Sequence, residues 1–293
     1  MSQKPHHHEH YYVPAQSHWP ITGSLGLGIF MVGLANWIQG KPIGHYLFFA
    51  GSLVVAYMMF GWFRDVIRES HQGLYSKQMD RSFRWGMAWF IFSEVMFFAA
   101  FFGALFYARA FSVPWLGGEG DRGASHLLWP QFKAVWPLLN TPDPQLFPAP
   151  KEIINTWGLP ALNTLILLTS GVTVTIAHWG LVKQKRALLI IGLFATVLLG
   201  ATFLCCQAYE YYEAYHHYGL TLGSGIYGST FFMLTGFHGA HVTIGTIMLI
   251  VILLRCLKGH FTPEHHFGFE AVAWYWHFVD VVWLFLFVFV YWL

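Results

Sequence analysis

Five ionisable side chains lie deep inside apolar stretches of this sequence, where a polar group is costly. Glu94 is the only charged residue between Arg84 and Arg109. At a helical rise of about 1.5 Å per residue, this stretch is long enough to cross a hydrocarbon core of about 30 Å. Glu94 then lies about 15 Å beyond Arg84, near the bilayer midplane. An ionised carboxylate at that depth costs about 3 kcal/mol, so we expect Glu94 to be protonated, paired inside the protein, or both.

Two later apolar stretches contribute the other four side chains. His238 and His241 lie three residues apart, and so do His277 and Asp280. In a helix this spacing puts both members of a pair on one face. All four lie at depths that overlap the depth of Glu94. The pattern therefore predicts that Glu94 contacts His238 or His241, and that His277 or the remaining imidazole hydrogen-bonds Asp280.

Three kinds of chemistry suit such a set. Neutral imidazoles bind metals and haem, but the Glu-x-x-His repeat of di-metal carboxylate sites is missing, and there is no Cys-x-x-Cys motif. Intramembrane Glu, His and Asp also mark proton or ion paths. Alternatively, the carboxyls and imidazoles satisfy one another and fix the helix packing. The residues alone leave the last two interpretations open and predict no metal site. His178 lies five residues before Lys183, so we expect it to be interfacial.

The elements that hold these residues are membrane helices. Hydrophobic residues make up 56% of the chain and charged residues only 10%, which indicates an all-α polytopic membrane protein. The basic residues cluster in loops, so nothing suggests a nucleic-acid partner. Every Lys lies in a tail or loop, which excludes a retinal pump. Seven apolar stretches of membrane length are present, at 21–39, 45–63, 85–108, 159–181, 187–209, 226–254 and 269–292.

The segments outside the apolar stretches predict orientation. Residues 1–20 form a polar tail with His6, His7, His8 and His10, and without the apolar core of a cleaved signal peptide. Lys and Arg are concentrated in the short loops on the amino-terminal side, which predicts an inside amino terminus and an outside carboxyl terminus. The proline-rich segment 111–156 is expected to be an outside loop. Glu210 and Glu213 are expected to form a solvated acidic cap after the fifth helix.

The first two helices contain a packing signal and a charged end. Small residues let neighbouring helices approach closely in lipid, so we expect the first helix to pack on the second through Ser24, Gly26, Gly28 and Gly33. Arg64 and Arg68 share one helix face after Trp62. They indicate either an interfacial anchor with internal ion pairs or a site for a lipid phosphate.

Several motifs identify a family. The chain resembles subunit III of the haem-copper cytochrome c oxidases along most of its length, from the first helix onward. The departures are the 111–156 loop and the histidine-rich tail. The matching motifs are WFRDVIRE at 62–69, FSEVMFF at 92–98, GIYGSTFF at 225–232, TGFHGAHV at 235–242, HHFGFE at 265–270 and WYWHFVDVVW at 274–283.

The resemblance implies a seven-helix subunit in which a two-helix part, 21–63, is set apart from a five-helix part, 85–292, by a lipid-filled cleft. It implies no redox centre in this chain, because electrons pass from cytochrome c through copper in subunit II to haem and copper in subunit I. Subunit III of an aa3-type oxidase supports proton uptake and stabilises subunit I. These implications place the chain in a bacterial or mitochondrial inner membrane. An autonomous proton or ion transporter is the alternative.

The resemblance also implies roles for single residues. Glu94 matches the membrane-buried carboxylate of the family, within the network formed with His238, His241, His277 and Asp280. The expected direct partner is subunit I, with subunit II in the same complex and cytochrome c reached only through it. Phospholipid is the only expected bound group, with haem and copper in partner subunits. The residues expected to bind lipid are Trp62, Arg64, Arg68, Glu94, His265 and His266.

Overall fold

The computed structural model describes residues 12–13 and 15–293, so the tail histidines at 6–10 lie outside the described residues. The described chain is helical and contains no strand. Seven of its helices are long and apolar enough to cross a membrane, which confirms the predicted all-α fold. The α-helices are α1 Trp19–Ile38, α2 Ile43–His71, α3 Lys77–Tyr107, the short α4 Val113–Leu116, α5 Leu159–Val182, α6 Arg186–His216, α7 Gly225–Leu257 and α8 Phe267–Leu286.

Several helices continue beyond their apolar stretches. α2 ends at His71 rather than at 63, α3 begins at Lys77 rather than at 85, and α6 ends at His216 rather than at 209. Hydropathy marks the part of a helix that suits lipid, whereas backbone hydrogen bonding continues into water. Ion pairs one turn apart support such polar extensions, as between Arg84 Nε and Asp80 Oδ2 at 2.8 Å.

The predicted loop also begins later than expected. α3 passes through a π-helical segment, Ala108–Ser112, into α4, so helical structure reaches Leu116 rather than stopping before 111. Beyond that point the segment to 156 is mostly irregular, as its prolines predict. Its apolar side chains Phe132, Leu138 and Ile154 are nevertheless buried in the core. The segment is therefore packed onto the helices, as where the Trp136 ring lies 5.6 Å from the ring of Tyr227 on α7.

The chain divides into two compact units, with the boundary between Trp85 and Gly86. In the first unit, α1 and α2 form a close antiparallel pair, as predicted. A methyl group added to Gly33 would overlap the backbone of Phe48, and one added to Gly51 would overlap Phe30. A methyl group added to Gly28 would meet no described atom outside its own helix within 4 Å, so the prediction that it joins this interface is wrong.

The same helical geometry explains the other small residues of α1. Gly26 and Gly33, seven residues apart, are both buried, because two helical turns return to the same face. Ser24 lies on the other face, is exposed, and donates to the carbonyl oxygen of Pro20 at 2.9 Å, so its predicted place in the interface is also wrong. Trp19 Nε1 donates to Asp65 Oδ2 at 2.8 Å and fastens the start of α1 to α2.

The second unit is packed around large aromatic residues. Trp276 and Trp283 of α8 are completely buried. The Trp276 ring lies against Gly200 of α6 and Gly245 of α7, where added methyl groups would come within 2.8 Å and 2.9 Å of it. Its Nε1 atom donates to Ser170 Oγ of α5 at 2.9 Å. One side chain of α8 thus contacts three other helices, which makes α8 the centre of this unit.

Candidate functional site

Glu94 is paired with a histidine from a distant helix. Its Oε2 atom, on α3, lies 2.8 Å from Nε2 of His241 on α7. This confirms the predicted contact between Glu94 and one of the two imidazoles of α7. Both side chains are largely buried, with 22% of Glu94 and 13% of His241 exposed.

The other nitrogen of His241 determines what this contact requires. Nδ1 lies 2.6 Å from the carbonyl oxygen of Phe237, and a carbonyl only accepts, so Nδ1 carries a proton. In the neutral imidazole Nε2 then has a lone pair, as does the ionised carboxylate. A further proton must lie between His241 and Glu94, giving either a carboxylic acid with a neutral imidazole or a carboxylate with an imidazolium. Both arrangements leave the pair with no net charge at membrane depth.

Aromatic rings surround the Glu94–His241 pair. The ring of Phe98 lies 5.0 Å from the His241 ring, and that of Tyr275 lies stacked at 6.4 Å. The Tyr275 hydroxyl donates to the His241 carbonyl oxygen at 3.4 Å. Such an apolar shell strengthens the hydrogen bond and makes it costly to remove one partner.

His238 has a different partner. It is completely buried, and its Nε2 atom lies 3.0 Å from the backbone carbonyl oxygen of Val279 on α8. Its ring packs against Phe203 and Trp283, with centroids 5.7 Å and 5.1 Å away. His238 therefore joins α7 to α8, while His241, three residues later, joins α7 to α3.

The predicted contact of Asp280 with an imidazole is wrong. Among the described residues neither His277 nor His238 is hydrogen-bonded to it, and its buried Oδ1 atom has no hydrogen-bond partner there. His238 Nε2 instead faces a backbone carbonyl, and His277 Nε2 lies 3.3 Å from Thr175 Oγ1 of α5. Asp280 is itself 8% exposed and points at Gly171, where an added methyl group would come within 2.7 Å of Oδ2. The missing side chain of Gly171 makes room for this carboxyl group.

The burial of a further carboxyl group was not predicted. Glu210 is 1% exposed, so the expectation of a solvated acidic cap is wrong for this residue. Its Oε1 atom accepts from the Tyr291 hydroxyl at 2.6 Å and from Gln207 Nε2 at 3.2 Å. The sequence contained a signal for this burial: the spacing of Phe203, Gln207 and Glu210 puts them on one face of a helix. In the structure α6 continues to His216, and this face is buried.

The residues at the polar end of α2 are mostly exposed. Trp62 and Arg64 are exposed, and Arg68, with 63% of its side chain exposed, lies 3.5 Å from Asp65. Deeper in this region the Tyr75 hydroxyl donates to Glu69 Oε2 at 2.8 Å. Burial, and then this hydrogen bond, raise the pKa of Tyr75 well above its usual value, so it stays a neutral donor.

The two neighbouring histidines before α8 differ from each other. His265 is exposed, and its hydrogen bonds to described residues are made by its backbone, with Thr262. His266 Nε2 lies 3.2 Å from Glu270 Oε1, and His178 Nε2 of α5 lies 3.7 Å from the same oxygen. Ligand atoms of His178, His266 and Glu270 all lie within 4.8 Å of one another. The sequence predicted no such grouping, because His178 is far away in the chain.

The polar residues thus form separate contacts. In the part of the chain that the structure describes, no side-chain hydrogen bond links the Glu94–His241 pair, His238, the His277–Thr175 pair or the Glu210 cluster to one another. Each contact instead joins two or more helices. Together these contacts hold the helices in register. Glu94 and His241 also share one proton.

Two kinds of comparison with known proteins match the same family along almost the whole chain. The family model described as cytochrome c oxidase subunit III matches residues 8–142 and 125–293. Cytochrome c oxidase subunit 3 of Drosophila melanogaster is 44% identical over 288 residues, which is 98% of both chains. The proteins of the same description from Equus caballus and Squalus acanthias are 43% and 44% identical over 283 residues, 96% of both chains in each case.

Proposed function

The chain belongs to the cytochrome c oxidase subunit III family, and from this premise we propose that it is a non-catalytic subunit of a proton-pumping, aa3-type cytochrome c oxidase. The observation that carries the proposal is a likeness that extends over almost the whole of both chains rather than over a single motif. The chain would lie in an inner membrane, with its amino terminus inside and its carboxyl terminus outside, as the loop charges favour. It would contact subunit I directly and act beside subunit II.

The buried polar contacts support a structural role. Glu94, His238 and His277 each have a partner within this chain, and each partner lies on another helix. A haem or redox-metal site needs convergent ligands, whereas these side chains hold separate helix pairs. Haem and copper would therefore belong to the partner subunits, which cytochrome c would reach only through the complex.

Support of proton uptake rests on the Glu94–His241 pair. The pair shares one proton, which lies either on the Glu94 carboxyl group or on His241 Nε2. Such a pair, held between α3 and α7, would present a neutral and ordered surface to a proton path in a neighbouring subunit. Its contribution would be to the stability and electrostatics of the complex, and the proton would not need to leave the pair during turnover.

Phospholipid binding rests on the exposed end of α2. Arg64 and Arg68 offer guanidinium groups beside Trp62, the combination that phosphate headgroups and membrane interfaces favour. Arg68 forms an ion pair with Asp65 at 3.5 Å, and both arginines are exposed. We assign the headgroup contact to these arginines. Of the other residues expected to bind lipid, Glu94 and His266 already have partners within this chain, and His265 is exposed.

Copurification tests the proposal. An affinity tag on this chain should recover haem-bearing and copper-bearing partner chains, while the tag-free chain purified alone should contain no haem, copper or iron. Reconstituted alone in vesicles, the chain should give no proton flux above that of empty vesicles. Recovery without haem-bearing partners, or flux by the chain alone, would favour the alternative of an autonomous proton or ion transporter.

A further inference from the structure

Three metal-binding side chains converge where α5 ends and α8 begins. His178 lies in the last turns of α5, His266 immediately precedes α8, and Glu270 lies in the first turn of α8. We propose that they bind a divalent cation, with Zn²⁺ the best match. The proposal is independent of the redox centres and of the proposed subunit role, and it revises the expectation of no metal in this chain.

The distances suit a zinc ion. In a tetrahedral site with bonds near 2.1 Å, ligand atoms lie about 3.4 Å apart. Glu270 Oε1 lies 3.2 Å from His266 Nε2 and 3.7 Å from His178 Nε2. All three ligand atoms fall within 4.8 Å, so closing the site needs only side-chain adjustment of about 1 Å.

The protonation of His266 leaves a lone pair aimed at the cluster. Its Nδ1 atom lies 3.1 Å from the carbonyl oxygen of Thr262, so Nδ1 carries the proton. Nε2 of the neutral ring then faces Glu270 Oε1, which is also an acceptor. Two facing acceptors need a cation between them, either a proton or a metal. A backbone carbonyl on the far nitrogen is also the usual outer partner of a zinc-bound histidine.

The surroundings hold the ligands and leave a way in. The His178 ring stacks on Phe269 with centroids 5.5 Å apart, and lies 5.3 Å from the His266 ring. Side-chain exposure is 30% for His178 but only 10% for His266 and 15% for Glu270, so the site opens on the His178 side. Two imidazoles, one carboxylate and an open fourth position for water form an established zinc ligand set. A bound ion would fasten α5 to α8 at one end of the membrane span.

Zinc titration of the assembled complex tests the site. The complex is stripped with a chelator, equilibrated with Zn²⁺, and its bound zinc measured by mass spectrometry for unmodified chain, Glu270→Gln, His178→Gln and the neighbouring control His265→Gln. We expect both ligand variants to bind one zinc site at least about tenfold more weakly, and the control to match the unmodified chain. Equal binding by all four chains, or no zinc in this chain's complex, would overturn the proposal.

Two further measurements do not depend on those variants. In His178→Cys, X-ray absorption should reveal a new zinc–sulfur distance of about 2.3 Å, and its absence would contradict ligation by position 178. In the unmodified complex, Zn²⁺ should slow acylation of His178 and His266 by diethylpyrocarbonate while His265 is unaffected. Any result without selective protection means that His266 pairs with Glu270 through a proton alone.

Discussion

The two units of the chain hold their helices together in different ways. In the first unit, the buried residues of α1 and α2 are all glycines, and the backbones themselves are in contact. In the second unit the interfaces contain buried tryptophans and phenylalanines together with polar side chains such as His238, Glu210 and Asp280. Lipid removes the hydrophobic drive between helices, so they associate through close packing or through polar contacts. Each unit relies mainly on one of these two means.

The difference also appears in exposure. Within its most apolar window, α1 has 11% of its residues buried, whereas the span that begins with α8 has 50% buried. α1 therefore buries few of its residues, whereas α8 lies in the core of the second unit. Added volume at the buried glycines should therefore do the most harm in the first unit, whereas the second unit should also lose stability when a buried hydrogen bond is lost.

Gly33→Leu should have the largest effect. A side chain here collides with the backbone of Phe48, which cannot move away as a flexible side chain can. We expect a loss of about 3 kcal/mol or more in the association of α1 with α2, measured as protease sensitivity of the segment between them and as loss of the chain from the complex.

Gly28→Leu is the matched control for Gly33→Leu, because it puts the same side chain on the same helix at a position where an added methyl group meets no described atom of another helix within 4 Å. Its protease sensitivity should equal that of the unmodified chain. Equal damage from both substitutions would mean that glycine-mediated contact does not hold the first unit together.

Glu94→Ala should have an intermediate effect, in the second unit. It leaves His241 Nε2 without its partner in an aromatic surrounding, at a cost of about 1 to 3 kcal/mol, measurable as a lower thermal transition of the complex. Glu94→Gln preserves shape and can donate its amide N–H to the imidazole. It should keep assembly and most of the oxygen-reduction turnover. An intact, haem-loaded Glu94→Gln complex with no turnover would make Glu94 an obligatory proton carrier.

The double substitution Arg64→Ala with Arg68→Ala should have the smallest effect on stability, below about 1 kcal/mol, since the ion pair of Arg68 with Asp65 is exposed. Retained phospholipid per complex, measured by mass spectrometry, should nevertheless fall. Lys133→Ala with Lys151→Ala removes the same charge from the loop and should leave lipid unchanged. Unchanged lipid in the arginine variant would assign the two arginines to ion pairing alone.

The contact between Glu94 and His241 was predictable from the sequence only in part. Depth along a helix follows from counting residues, so the meeting of Glu94 with α7 was predictable. The choice between His238 and His241 was not, because the two histidines lie on the same face of α7 and differ in depth by less than one turn. In the structure His238 hydrogen-bonds the backbone carbonyl of Val279, and His241 pairs with Glu94.

The sequence by itself determined the helical class, the number of spans and the family, because hydropathy and motifs are local properties of the chain. Only the tertiary structure decided the surroundings of Asp280, the burial of Glu210 and the meeting of His178 with His266 and Glu270. These depend on how each helix is rotated about its axis and on where it ends. Both are set by packing against residues far away in the sequence, such as Gly171 opposite Asp280.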